Sequence, residues 1–226
     1  MSAVTKHRGT LVFDLDGTLV DSAPDLADSL DLLLAEQGKR PLGLDIGRSL
    51  IGHGISNLVA KGLDRSGLKL DGPELEERIK RFHEIYADNL SRKTRPYAGV
   101  KEGLSLFQSQ GFRLAVCTNK LEKYSRQILV ALELAAHFDQ VAGPDTFGVA
   151  KPDPRHLLLT IESLEGKGKP AVMIGESEVD IALAKAAGIP VIAVSYGYAK
   201  VPLAPLQPDA LVPSFDALPT EVHRLL

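Results

Sequence analysis

Five short apolar runs, several rich in β-branched residues and each ending in turn or polar residues, constrain this chain most: 10–14, 113–118, 140–143, 171–175 and 191–195. Their length and composition read as buried strands. Segments of helical spacing lie between most of them: Val100, Leu104 and Phe107 before a stop at Gly111, then Tyr124, Ile128, Leu129 and Leu132, then Ala182, Lys185 and Ala186 before Gly188. Strand and helix alternating in this way predict an α/β fold whose parallel sheet is covered on both faces.

The connection between the first two strands breaks the rhythm, running to about 95 residues where a crossover needs far fewer. Within it, 24–38 carries Pro near a helix start, Leu26, Leu30 and Leu33 on one stripe, and a glycine stop. Residues 55–63 continue the helical pattern, as do 73–90, with Leu75, Ile79, Phe82, Tyr86 and Leu90 at three- and four-residue steps. The spacing predicts an all-helical insertion over 22–95, set over a core made of 1–21 and 96–226. The return linker, 91–99, contains Arg95-Pro96 and is expected to act as a hinge.

Composition narrows the partners. Of 226 residues, 24% are charged and the net charge is −3, without the Lys/Arg clusters that phosphate neutralisation needs, so no nucleic-acid partner is expected. The one cysteine, Cys117, excludes an intrachain disulfide and a cysteine-built zinc cluster, and it reads as a small core residue. No apolar run approaches the roughly 18 residues that span a membrane, and the first residues lack a signal-like apolar segment. A cytoplasmic protein with no membrane partner is the expectation, as a monomer or homodimer.

The stretch LVFDLDGTLVDS, 11–22, supports two readings. Asp-Gly between apolar runs is a hairpin signal, while two carboxylates one residue apart at a strand end suit an active site. In open parallel sheets, ligands bind beyond the carboxyl ends of the strands. Asp14 and Asp16, Thr118-Asn119 and Gly175-Glu176 stand at those ends, with Lys151 in a nearby loop. Carboxylates packed together resist common ionisation unless a cation joins them. Mg²⁺ is the natural candidate, since it takes oxygen ligands and substrate phosphate together. A hydroxyl, an ammonium and backbone N–H groups are what phosphoryl oxygens require.

Four ordered segments, DLDGTLVDS, CTNK (117–120), KPDP (151–154) and GESEVD (175–180), resemble the four motifs of the haloacid dehalogenase-like superfamily. The insertion is similar to its helical C1-type cap. The runs DSAPDLADSL, GHGISNLVAKGL, TRPYAGV and AKAAGIPVIAVSYGY further resemble the bacterial phosphoglycolate phosphatase family. The resemblance implies a Rossmann-like three-layer core and Mg²⁺-dependent hydrolysis of a small phosphorylated metabolite, with 2-phosphoglycolate leading. Asp14 would be the nucleophile forming an aspartyl phosphate, and Asp16 the general acid and then base. Thr118, Asn119 and Lys151 would hold phosphoryl oxygens. Mg²⁺ would lie on Asp14, the Asp16 carbonyl and Glu176, with Asp180 supporting the ligands from behind.

One position departs from that pattern: Glu176 stands where the family usually has Asp. An extra methylene moves the carboxylate by more than about 1 Å on an unchanged backbone. Mg²⁺ holds its ligands near about 2.1 Å, so metal affinity or preference is expected to respond. Metal-free dehalogenases and phosphonatases of the superfamily lack an acid at the position of Asp16, and C1 phosphomutases carry a histidine where this chain has Leu26. Phosphomonoester hydrolysis fits best. Other small substrates (a sugar phosphate, a nucleoside monophosphate or pyrophosphate) and a non-catalytic phosphate-binding role remain the alternatives.

For the substrate's far end, Gly52-His53-Gly54 leads into the helix expected at Ile55, whose free N–H groups suit a carboxylate. Arg48, Ser56 and Asn57 are the nearby helpers. Each residue also has a plainer role open to it: Thr118-Asn119 as a helix cap, Lys151 as a surface lysine, Glu176 and Asp180 as acids at a helix start. Asp145 and His156 receive no assignment.

Overall fold

The computed structural model describes residues 7–52, 54–164 and 170–226. Along the chain run β1 (Gly9–Phe13), β2 (Val20–Asp21), α1 (Ala23–Glu36), α2 (Gly43–Leu50), α3 (Ile55–Arg65), α4 (Gly72–Asn89), β3 (Arg95–Pro96), α5 (Val100–Ser109) and β4 (Phe112–Cys117). There follow α6 (Glu122–Ala131), β5 (Gln140–Ala142), α7 (Pro144–Phe147), α8 (Pro154–Glu162), β6 (Ala171–Gly175), α9 (Glu178–Ala187), β7 (Val191–Val194), β8 (Ala210–Val212) and α10 (Leu218–Leu225). Because strand side chains alternate between faces, β1 feeds two cores. Leu11 and Phe13 pack with Leu114, Val116, Phe107 and Phe215, while Val12 joins Ala115, Met173, Leu157 and Leu183 on the opposite side. The fold is therefore α/β with a Rossmann-like, three-layer core.

The main sheet has the order β5-β4-β1-β6-β7-β8, and its strand pairs are parallel. Phe13 lies level with Val116 of β4 and Ile174 of β6. That register brings the residues following β1, β4 and β6 to one edge, which is what places Asp14, Thr118 and Glu176 together. One edge strand, β8, is not among the five runs expected, and a three-residue Ala-Leu-Val segment offers too little pattern to register.

The insertion is helical, as its periodicity predicts, and contains one further helix, α2. Its sequence, GLDIGRSL, carries two glycines, which oppose helix by propensity. The packing explains one of them: a Cβ on Gly47 would lie 2.6 Å from the Cβ of Ala27 on α1, so the close helix crossing requires glycine. Gly62 of α3 does the same against Leu30, at 2.7 Å. Tertiary contact thus overrides propensity.

The return segment pairs with the strand that leads into the insertion. β3 pairs antiparallel with β2, Asp21 opposite Arg95 and Val20 opposite Pro96. The buried Asp25 carboxylate of α1 accepts hydrogen bonds from the Lys93 and Thr94 backbone N–H groups and from Thr94 Oγ1. A buried carboxylate needs such donors, and meeting that need pins the linker. Among the described residues, no helix is long and apolar enough to cross a membrane.

Candidate active site

Asp14 directly follows β1. Its N–H still donates to the Ile174 carbonyl at 2.9 Å, so the sheet holds it, while the Leu15 N–H donates to Asp14 Oδ1 at 2.7 Å. The chain then reverses: Gly17, at φ +84°, donates its N–H to the Val20 carbonyl at 2.8 Å. A positive φ here favours glycine, and a Cβ would also come within 2.9 Å of Glu176 Cγ. The reversal returns Asp16 to the mouth of the cleft. Its Oδ1 accepts from Ser22 Oγ at 2.5 Å, and its Oδ2 lies 2.9 Å from Lys120 Nζ. The Asp-Gly signal is thus a turn, and it carries Asp16 to the lining of the cleft.

Lys151 reaches the same place from the loop before α8. Its Nζ lies 2.8 Å from Asp14 Oδ1 and 2.7 Å from Asp180 Oδ1. Asp180 is fully buried, and its Oδ2 accepts from the Glu176 and Ser177 N–H groups and Ser177 Oγ. Both of its oxygens are occupied, so Asp180 acts on the site through Lys151 and the Glu176 backbone. Glu176 Oε2 accepts the Tyr198 N–H at 2.6 Å. The longer side chain is seated over two glycines, for a Cβ on Gly197 would meet Glu176 Cβ at 2.5 Å.

The electrostatics are those of a cluster short of positive charge. Burial pushes the Asp14 carboxyl up to about 7, with Lys151 pulling it down and Asp180 adding to the rise. Burial likewise pushes Glu176 up to about 8, reinforced by Asp180 and Asp14. Lys151 feels burial as a downward pull on its pKa, but Asp14 and Asp180 outweigh it and keep it an ammonium. Carboxylate oxygens of Asp14, Glu176 and Asp180 lie within 4.8 Å of one another. A hard divalent cation suits this oxygen set and would relieve its repulsion. The second oxygens of Asp14 and Glu176 are the ones open to it.

A cleft is lined by Asp14, Asp16, Thr118, Asn119, Lys151 and Glu176, with Gly52 and Gly54 on the side of the inserted helices. Leu26, Ile51 and Leu58 form its apolar wall. Asn119 has its amide engaged with the Lys151 backbone, donating to the carbonyl at 3.1 Å and accepting from the N–H at 2.9 Å. Its side chain therefore latches the Lys151 loop. His53 lies outside the described residues. Arg48 stands away from the cleft, paired with Asp21 at 3.0 Å, and Ser56 lines a neighbouring cavity. Asp145 accepts the Glu122 N–H at the start of α6, and Cys117 is buried in the core.

Sequence reasoning passed over three contributors: Ser22, Lys120 and Tyr198. Lys120 stands inside the quoted CTNK segment, and only its burial distinguishes it from a surface lysine. The Tyr198 contact is made by backbone, which side-chain chemistry does not reveal.

A family model for haloacid dehalogenase-like hydrolases matches residues 11–194. The chain belongs to that family. A phosphoglycolate phosphatase from Mesorhizobium japonicum is 43% identical over 97% of this chain and 96% of its own. Another, from Caulobacter vibrioides, is 38% identical over 97% and 93% respectively. The solved structure of a predicted phosphoglycolate phosphatase from Haemophilus somnus superposes with a TM-score of 0.88, at 30% identity, covering 97% of this chain and all of that one.

Proposed function

We propose that this hydrolase is a Mg²⁺-dependent phosphatase of small phosphate monoesters whose substrate is 2-phosphoglycolate. The observation that carries the reading is the meeting, at one cleft, of a sheet-held Asp14, a twice-anchored Asp16 and the buried Lys151 ammonium. The names of the full-length relatives support the substrate. In this reading residues 22–95 cap a core of 1–21 and 96–226.

A carboxylate oxygen of Asp14 attacks phosphorus, and the ester P–O bond breaks as Asp16 gives its proton to the departing glycolate oxygen. Asp16, now ionised, takes a proton from water; the water oxygen attacks phosphorus, and the Asp14–phosphorus bond breaks to release phosphate. Lys151 and the Thr118 hydroxyl hold the phosphoryl oxygens and offset developing charge. Mg²⁺, held by Asp14, the Asp16 carbonyl and Glu176 and braced by Asp180, would add Lewis-acid stabilisation of the same charge. The substrate carboxylate meets Gly52, Gly54 and the N-terminus of α3, since the first N–H groups of a helix favour an anion.

Phosphate release over a panel of monoesters, with and without Mg²⁺, tests the proposal. 2-Phosphoglycolate should give the highest kcat/KM, and Asp14→Asn should remove turnover. Higher kcat/KM for sugar phosphates would overturn the substrate. Absence of metal-dependent turnover would instead favour a phosphate-binding member of the family.

A further inference from the structure

Lys120 has no part in the mechanism above, yet its side chain is only 3% exposed and lies at the junction of core and cap. Its Nζ is 2.9 Å from Asp16 Oδ2 and donates to the Tyr86 hydroxyl at 2.8 Å, while standing 4.8 Å from the centre of the Tyr86 ring. Tyr86 belongs to α4 of the insertion and is fully buried. It packs edge-on against Tyr124 of α6, whose hydroxyl donates to the His83 carbonyl of α4 at 3.2 Å. One ammonium therefore touches the acid–base carboxylate from the core side and a cap aromatic from the other.

Stability is a poor reason for such a residue. A buried ion pair recovers its desolvation cost only with good geometry, and apolar residues of similar volume often do as well. What the contact supplies is aim. Ser22 holds one Asp16 oxygen and Lys120 the other, so the carboxyl cannot rotate freely, and Lys120 is itself fixed by the hydroxyl and ring of Tyr86. We propose that Lys120 is a positioning residue that aims Asp16 at the leaving oxygen, and that Tyr86 makes this aim depend on α4 being seated on the core. The inference rests on the phosphatase reading.

The test compares kcat/KM for 2-phosphoglycolate, whose alkoxide leaving group needs a proton, with that for p-nitrophenyl phosphate, whose leaving group does not. General acid catalysis is worth about 10²–10⁴-fold, so Lys120→Met should lower the alkyl-to-aryl ratio on the order of 10-fold or more. Tyr86→Phe should lower the ratio in the parent protein and add little in the Lys120→Met background, because it acts through Lys120. Equal losses on both esters would reduce Lys120 to a structural role and overturn the proposal, as would additive effects of the two substitutions. Should Lys120→Met fail to fold, Tyr86→Phe and Ser22→Ala carry the same ratio test, and an unchanged ratio in both would overturn it. A parent protein without Asp14-dependent hydrolysis of either ester would sink the phosphatase reading itself.

Discussion

Among the described residues, Lys151 is the ammonium that stands between Asp14 and Asp180, and its removal isolates those charges in a buried site. Lys151→Met should destabilise the metal-free protein by about 3–5 kcal/mol, the cost of breaking a buried pair. Urea unfolding measures this, and a loss below about 1 kcal/mol would contradict the pairing described. Glu176 makes a second residue-scale prediction. Shortening it to Asp withdraws its oxygen from the Tyr198 N–H and leaves a buried donor without its partner, a loss of about 1–3 kcal/mol. Glu176→Asp should lower the Tm of the metal-free protein and diminish the rise that Mg²⁺ produces; a stronger Mg²⁺ response would instead mean that the glutamate is strained. Asp14, Asp16 and Lys151 were legible as candidates because their chemistry is in their side chains and their order. The seating of Glu176 was not, because it depends on two glycines and a backbone N–H brought in from separate loops.

At the scale of elements, the site is assembled by the register of β1 with β4 and β6 and by the turn that follows β1. The loop after β7 closes it. A Cβ on Gly197 would lie 2.5 Å from Glu176 Cβ and 2.5 Å from the Gly17 carbonyl oxygen, and the latter is backbone that no rotamer change can move. Gly197→Ala should therefore cost about 1–3 kcal/mol, as overpacking does, and weaken Mg²⁺ binding by calorimetry. Unchanged metal affinity would show that the loop is not part of the seat. The central strands and three helices of the insertion were readable from periodicity. α2 and β8 were not: one is packed through Gly47 against its own propensity, and the other is three residues long. The expected hinge is bonded by Asp25 and by β2–β3 pairing, contacts between segments far apart in sequence.

For the molecule as a whole, the crowded carboxylates make stability depend on pH. Folded Asp14 and Glu176 keep protons up to about 7 and about 8, where the unfolded chain has already released them. Their contribution is full below the unfolded values and is lost as pH rises through the folded ones. His156 works in the opposite sense. Burial and Lys151 lower it to about 4, so its contribution grows with pH but is complete near its ordinary 6.5. Between about pH 6.5 and 8 the acids act alone, and the Tm in EDTA should fall. Mg²⁺ should restore it, more at pH 8 than at pH 6.5; a Tm that rises across this window in EDTA would contradict the buried cluster. The central claim is that Asp14 takes the phosphoryl group. Rapid acid quench of the enzyme during turnover of 2-phosphoglycolate, followed by peptide mass spectrometry, tests it most directly. The account predicts one phosphoryl group on the peptide carrying Asp14, absent in Asp14→Asn; turnover with no phosphorylated peptide, or with the label on another residue, would contradict it.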